Sequence, residues 1–140
     1  GTNRLSKIES ILVDLDVPKS FMRSKTRLQV IDEETQVYLS VVTVGGLRRG
    51  VELITLRGDV LQADTLEQWL QALLTKYEDS ILDITPDIAR LWGRLRVPHP
   101  ENALDKLIGA TALIYDLTVV TRNHRDFEET GVPLLNPFEG

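Results

Sequence analysis

The sequence predicts an α/β fold with three α/β/α layers around a central, mostly parallel sheet. Short β-branched runs such as Val37–Val44 alternate with apolar or amphipathic helical segments along the chain. Such alternation is typical of parallel strands joined by crossover helices. The chain has 140 residues without a repeat or linker, and 42% of them are hydrophobic, which is enough to bury a core. We therefore expect a single domain over residues 1–140.

The N-terminal segment fits both a strand and a helix. Residues 11–17, "ILVDLDV", form a short apolar run that is typical of a buried strand. However, Leu5, Ile8 and Leu12 also share one helical stripe, so both interpretations remain open. A short helix is expected from Lys19 to about Ile31.

The other elements follow from hydrophobic periodicity, capping residues and β-branched runs. They are a strand at 37–44, a helix from Leu47 to Ile54, an amphipathic helix at 66–77 capped by Asp64 or Thr65, a strand at 81–84, a helix beginning at Thr85-Pro86-Asp87, a helix from about Ala103 to Tyr115, and a strand at 117–121. Residues 123–138 close the domain.

Composition excludes several function classes. The formal net charge of −5 gives no overall positive field to attract nucleic acid, which disfavours a groove-reading DNA-binding protein. A nuclease whose carboxylates hold a cation is still compatible, because the bound ion reverses the local field. The absence of cysteine excludes disulfides and cysteine zinc sites and suits the cytoplasm. No apolar run reaches membrane-spanning length, so we expect no membrane partner.

Acidic residues follow the predicted strands at the edge of the sheet where α/β proteins bind ligands. Asp14 follows the first strand, Asn123 and Asp126 follow the last, and Asp105 lies in the first turn of a nearly apolar helix. Carboxylates brought together repel each other unless a cation neutralises them, and oxygen ligands suit Mg²⁺ or Mn²⁺. Two simpler interpretations stay open: Asp105 as a helix-dipole acid and Asp126 as a turn residue.

Basic residues lie near the same predicted edge. Arginine binds phosphate oxygens with two hydrogen bonds, so these cations are candidates for weak RNA contacts. Each one alone is equally compatible with a solvated surface charge. They are Arg48, Arg49, Lys106, Arg122 and Arg125.

The order of these segments resembles PIN-domain proteins, specifically the VapC-type toxins of bacterial toxin–antitoxin modules. "YLSVVTVGGLRRGVEL", "ALDKLIGATALIYDLTVVTRNHRDF" and "TGVPLLNPF" carry the resemblance, from about Tyr38 to Phe138. It implies a PIN-like fold, Mg²⁺- or Mn²⁺-dependent endoribonuclease activity, a homodimer and a cognate antitoxin. By position it also implies that Asp14, Asp105 and Asp126 are catalytic acids, which bind the metal together with Asn123.

One family position departs from this pattern. Gly46 stands where the family usually has glutamate, as in "GELRRG". A glycine cannot bind a metal or position a water, so the double glycine indicates a lost side chain. A phosphate-binding glycine loop is the alternative, but "GGLRRG" lacks the required lysine or hydroxyl spacing. A second functional hypothesis follows: a catalytically impaired PIN scaffold that still binds its antitoxin or another partner.

The divergent segment 1–36 leaves two registers for the first family acid. "ILVDLDV" places Asp14 there, whereas "GTNRLSKIES" would place Gly1 there and remove the first strand. Loss of a central strand would expose unpaired backbone, which favours Asp14.

A phosphoacceptor receiver domain also collects acids at one end of its sheet. It requires an aspartate after the third strand and a lysine after a later strand. We cannot place both in this sequence, so this interpretation ranks below the other two.

Overall fold

The computed structural model describes residues 10–18 and 34–136. Its elements alternate as the sequence predicts. In chain order they are β1 (Ser10–Val13), β2 (Gln36–Ser40), α1 (Val41–Leu56), α2 (Val60–Lys76), a 3₁₀ turn (Glu78–Ser80), β3 (Ile81–Leu82), α3 (Pro86–Leu95), α4 (Ala103–Tyr115), β4 (Thr118–Val120), α5 (His124–Phe127), a second 3₁₀ turn (Glu128–Thr130) and β5 (Leu134–Leu135). The helix predicted for residues 19–31 lies outside the described residues.

The five described strands form one parallel sheet in the order β3-β2-β1-β4-β5. Leu12 of the central strand pairs with Tyr38 on one side and with Val119 on the other. The ambiguous N-terminal run therefore contains a strand, as the first of its two interpretations predicted. The predicted three-layer α/β/α fold is confirmed.

Successive residues of β1 face opposite layers of the molecule, as expected for a pleated strand. Leu12 belongs to a core with Ile108 and Ala112 of α4. Ile11 belongs to a second core, against which Leu73 of α2 packs. Helices thus cover both faces of the sheet, and within the described ranges no helix is long and apolar enough to span a bilayer.

The second strand ends earlier than predicted. β2 stops at Ser40, and the residues expected to continue it as far as Val44 form the first turn of α1. The Ser40 hydroxyl accepts a hydrogen bond from the Val42 N–H at 3.0 Å, which caps the helix. This cap and the packing of α1 outweigh the small helix penalty of β-branched residues. Gly46 consequently lies inside a helix and not at the end of a strand.

The N-terminus of α2 also lies earlier in the chain than predicted. The helix begins at Val60, and its cap is Asp59, whose side chain accepts from the Gln62 N–H at 3.3 Å. The predicted cap Thr65 lies inside the helix and donates its hydroxyl to the Leu61 carbonyl. Periodicity alone placed the start too late because the first turn of α2 exposes its apolar residues, among them Leu61.

The start of α3 and both bounds of α4 agree with the prediction. Thr85 caps α3 by accepting from the Ile88 N–H at 3.3 Å, and Pro86 occupies the first helical position. The α4 helix spans Ala103–Tyr115. Its N-terminus positions Asp105, and its apolar residues hold it against the sheet.

Candidate active site

Three neighbouring strands end at one level of the sheet. Because Leu12 pairs with Tyr38 and Val13 pairs with Val120, Asp14 is level with Ser40 and Thr121. The Asp14 N–H donates to the Val120 carbonyl at 2.9 Å, which extends the pairing of β1 with β4 by one residue. The central position of β1 supports the register with Asp14 as the first acid. Gly1 lies outside the described residues.

Thr121 connects two of the predicted site residues. Its side chain is fully buried, and its hydroxyl donates to the Asp14 carboxylate oxygen Oδ2 at 2.8 Å. The same hydroxyl accepts from the backbone N–H of Asn123 at 3.0 Å. Sequence reasoning missed this residue. The available signal was a hydroxyl at the end of a β-branched strand, immediately before the candidate polar segment.

The acids of the site interact electrostatically. Burial raises the pKa of Asp14, against the hydrogen bond from Thr121, and the charges of Asp16 and Asp126 raise it further. Burial raises the pKa of Asp105 to about 6, and the charges of Asp14, Asp126 and Asp16 add to the effect. Carboxylates from β1, α4 and α5 therefore share one local field. A helix-dipole role alone does not account for this coupling of Asp105.

Lys106 is placed differently from the prediction. It is 0% exposed, its ammonium donates to the His99 carbonyl, and Nζ lies 3.8 Å from Glu129 Oε1. The predicted RNA contact is therefore wrong for this conformation, because a fully buried ammonium cannot reach a phosphate. Its position on the inner face of α4, one residue after Asp105, explains the burial.

Arg48 is held in an ion pair between helices. It donates to both carboxylate oxygens of Glu67 at 2.7 Å, and it also contacts Glu52 at 3.1 Å. The Arg48 guanidinium thus bridges α1 and α2, and its phosphate contact stays a prediction. Arg49, Arg122 and Arg125 are exposed, and their proposed RNA contacts stay predictions.

Gly46 occupies an exposed position in the second turn of α1. A Cβ at this position would have nothing within 4 Å beyond its own helix and chain neighbours. The helix can therefore carry a longer side chain here without steric conflict. One turn earlier, the Thr43 hydroxyl is buried, and in the described part of the chain it has no hydrogen-bond partner.

The chemistry of the donor set fits a divalent cation. Neighbouring carboxylates add to the raised proton affinity of Asp14 and Asp105, as expected where a cation is needed to balance them. The unpartnered Thr43 hydroxyl adds another oxygen on the helix that follows β2. Within residues 10–18 and 34–136, no three His, Cys, Asp or Glu side chains are gathered into a metal-binding group. Binding an ion would therefore require these carboxylates to move closer together.

Comparison with known proteins places this arrangement in a family. The model of the PIN domain matches residues 19–133, which is most of the chain. The chain belongs to the PIN-domain family. The five-stranded parallel sheet covered by helices is thus that of a PIN domain.

Two curated relatives of this PIN-domain chain are similar over much of their length. Plasmid stability protein StbB from Pseudomonas syringae is 30% identical over 138 residues, covering 92% of this chain and 99% of the relative. Toxin FitB from Neisseria gonorrhoeae is 34% identical over 108 residues, covering 73% and 76%. The crystal structure of FitAcB from N. gonorrhoeae matches with a TM-score of 0.72 and 30% identity, covering 93% of this chain and 99% of that one. The predicted resemblance to toxin–antitoxin PIN domains is confirmed.

Proposed function

We propose that this PIN-domain chain is the Mg²⁺- or Mn²⁺-dependent endoribonuclease of a toxin–antitoxin module. The observation that carries the proposal is the electrostatic coupling of Asp14, Asp105 and Asp126 at the carboxyl edge of the sheet. Similarity to toxin FitB supports the same assignment. The proposed substrate is an RNA phosphodiester, and the attacking group is a metal-activated water.

The chain's own residues provide the negative site and its orientation. The Thr121 hydroxyl donates a hydrogen bond to the Asp14 carboxylate. The first turn of α4 places Asp105 where the charge of Asp14 acts on it. Asn123, whose backbone carbonyl accepts from the Asp126 N–H at 3.1 Å, offers an uncharged amide oxygen. When bound, a divalent ion lowers the pKa of a water molecule and stabilises charge on the scissile phosphate. Asp105 would then stay ionised at neutral pH, because a neighbouring cation opposes the effect of burial.

The proposed partners follow from the relatives. The FitAcB structure is similar to this chain over almost its full length, and a second neighbour is described as FitAB bound to an IR36 DNA fragment, at 26% identity. From these relatives we infer that a cognate antitoxin binds this chain and covers the acidic site. We also propose that the chain forms a homodimer in the cytoplasm. The acidic overall charge of the chain would favour a basic antitoxin surface.

Cleavage of a fluorescent RNA, measured while Mg²⁺ or Mn²⁺ is titrated, tests the proposal. We expect metal-dependent cleavage that Asp105→Asn reduces at least about a hundredfold, since it removes a charge from the centre of the site. Asp64→Asn is the matched control, because Asp64 is an exposed acid on α2. Equal loss in both variants, or cleavage that persists in EDTA, would contradict the proposal.

The absent side chain at Gly46 favours a second candidate function. In this alternative the chain is a catalytically impaired PIN scaffold that binds an antitoxin or another partner without cleaving RNA. The space around Gly46 allows Gly46→Glu to be built without a steric clash. Cleavage that appears only in Gly46→Glu would support impairment, whereas robust cleavage by the unaltered chain would end this alternative.

A further inference from the structure

The end of α3 and the loop that follows it lie against the first turn of α4. The Trp92 indole N–H donates to the Ala103 carbonyl at 2.8 Å, and the Lys106 ammonium donates to the His99 carbonyl. These two contacts attach the segment to α4 on either side of Asp105 along the chain. The segment from Trp92 to His99 is therefore held beside the helical turn that carries this candidate acid.

Arg96 lies within this segment, and its guanidinium lies over an aromatic ring. The Cζ atom is 4.7 Å from the centre of the Trp92 ring, within the range of a cation–π contact. The ring itself is fixed by the indole hydrogen bond to Ala103, so the guanidinium rests on an anchored surface. A guanidinium suits such a surface because it is planar and weakly hydrated. Arg96 thus has a defined position beside the first turn of α4.

The charge of Arg96 is not neutralised by the part of the chain that the structure describes. No carboxylate there forms an ion pair with it, and its buried Nε has no hydrogen-bond partner. Arg48 and Arg90, in contrast, pair with Glu67 and Asp87. Arg96 as a whole is only half-buried, so part of it is accessible to a ligand. An ordered guanidinium without a protein carboxylate is suited to bind an anion from outside.

We propose that Arg96, supported by the Trp92 ring, binds a phosphate of the RNA strand beside the acidic site. The inference rests on the proposed ribonuclease function and deepens it, because it names a residue that binds the substrate. The acids at the edge of the sheet repel RNA phosphates, and a nearby cation offsets part of this repulsion. Phosphate contacts fix the register of a nucleic acid on a protein without reading its bases. Arg96 therefore positions the strand and does not select its sequence.

Fluorescence anisotropy with a labelled single-stranded RNA, in the absence of divalent metal, tests the proposal. Titrations at several KCl concentrations compare the unaltered chain with Arg96→Gln, Arg96→Lys and Arg94→Gln. Arg94 is the matched control, because it is an exposed arginine two residues earlier in the chain. Among the described residues, its guanidinium lies over no aromatic ring. Circular dichroism melts verify that each variant folds.

We expect Arg96→Gln to weaken RNA binding about five- to tenfold, because it removes a phosphate contact. The slope of log Kd against log salt concentration should fall by about 0.7, the value for one phosphate contact on a single strand. Arg96→Lys keeps the charge but loses the planar group, so it should retain the salt slope and recover only part of the affinity. Arg94→Gln should match the unaltered chain in both affinity and slope.

Four results would overturn the inference. Unchanged affinity and salt slope in Arg96→Gln would refute the phosphate contact, and metal-dependent cleavage by the same chain would leave the proposed function standing. Equal losses in Arg96→Gln and Arg94→Gln would show a general attraction by positive charge. Full affinity in Arg96→Lys would refute the role of the Trp92 ring. Absence of RNA binding by the unaltered chain would also refute the inference, while the cleavage assay decides the proposed function separately.

Discussion

The Thr121 hydroxyl donates a 2.8 Å hydrogen bond to the carboxylate of Asp14, 107 positions earlier in the chain. Because Thr121 also accepts from the Asn123 N–H, it joins the end of the central strand to the turn that leads into α5. The candidate site is thus fixed by a buried hydroxyl as well as by its acids. This pair gives the site a rigid point at the level where β1 and β4 end.

Thr121→Val should weaken both the fold and the metal site. The substitution keeps the shape of the side chain but leaves the Asn123 N–H and the half-buried Asp14 without this partner. We expect a loss of about 1–3 kcal/mol in the free energy of unfolding. The hydrogen bond lowers the pKa of Asp14, so its loss should raise that pKa. Urea denaturation and NMR titration of the carboxylate measure the two effects.

Thr111→Val is the matched control for Thr121→Val. Thr111 is also fully buried, but its hydroxyl donates to the Leu107 carbonyl within α4. The control should lose stability of a similar order while the pKa of Asp14 stays constant. If both variants shift that pKa equally, Thr121 has no special role in holding Asp14.

Asp105→Asn should stabilise the metal-free protein at neutral pH. The folded-state pKa of Asp105 is about 6, above the ordinary value of 3.8, so the folded protein binds this proton more tightly than the unfolded chain does. Stability from this group therefore falls as pH rises from about 4 to about 6 and stays low above that window. We expect a gain of about 1 kcal/mol at neutral pH, reduced by solvent screening and by the loss of a favourable helix-dipole charge.

Denaturation of the metal-free protein across pH 4 to 7 measures this effect. The difference between Asp105→Asn and the unaltered chain should grow with pH through the window and then become constant. Asp64→Asn should follow the unaltered chain throughout. A variant less stable than the unaltered protein at neutral pH would show that the Asp105 carboxylate makes a net favourable contact.

Local signals made the helices on the outer layers predictable. Thr85, Pro86 and Asp87 combine a cap, a favoured first residue and a dipole acid, and α3 begins there. The prediction for the start of α1 was wrong because the β-branched run continues past Ser40 and outweighed the serine as a cap signal. In the structure the Ser40 cap begins the helix, and the pairing of β2 with β1, which depends on the folded sheet, ends before it.

Sequence patterns likewise predicted only those parts of the candidate site that depend on local signals. Asp14 and Asp105 follow from where strands and helices end, which sequence patterns reveal. The burial of Lys106 could not be foreseen, because it depends on the His99 carbonyl and Glu129 arriving from two other segments. Thr121 likewise acts through the register of β1 with β4. Side-chain partners that meet only after folding leave little trace in a single sequence.

Gly109→Ala should destabilise the fold although alanine is the better helix former. The added Cβ would lie 2.7 Å from Thr130 Cγ2. Thr130 cannot turn away freely, because its hydroxyl donates to the Phe127 carbonyl at 2.6 Å and accepts from the Val132 N–H at 3.2 Å. We expect the clash to exceed the gain in helix propensity, with a net loss of about 1–2 kcal/mol in thermal or urea unfolding.

Gly93→Ala is the control for the effect of helix propensity. Gly93 lies in α3, and a Cβ there meets nothing within 4 Å. This substitution should raise the free energy of unfolding by up to about 1 kcal/mol. If Gly109→Ala raises the free energy of unfolding as much as Gly93→Ala does, the packing of α4 against Thr130 is looser than the structure indicates.

Lys106→Met and Arg125→Met should separate a structural cation from a nucleic-acid contact. Methionine keeps most of the buried length of Lys106 but loses the hydrogen bond to the His99 carbonyl and the ion pair with Glu129, so we expect about 1–3 kcal/mol lower stability. RNA affinity of the folded protein, measured by fluorescence anisotropy without divalent metal, should not change. Arg125 is exposed, so Arg125→Met should leave stability within about 0.5 kcal/mol and weaken RNA binding. Reduced RNA affinity in folded Lys106→Met would mean that this lysine leaves its buried position to bind phosphate.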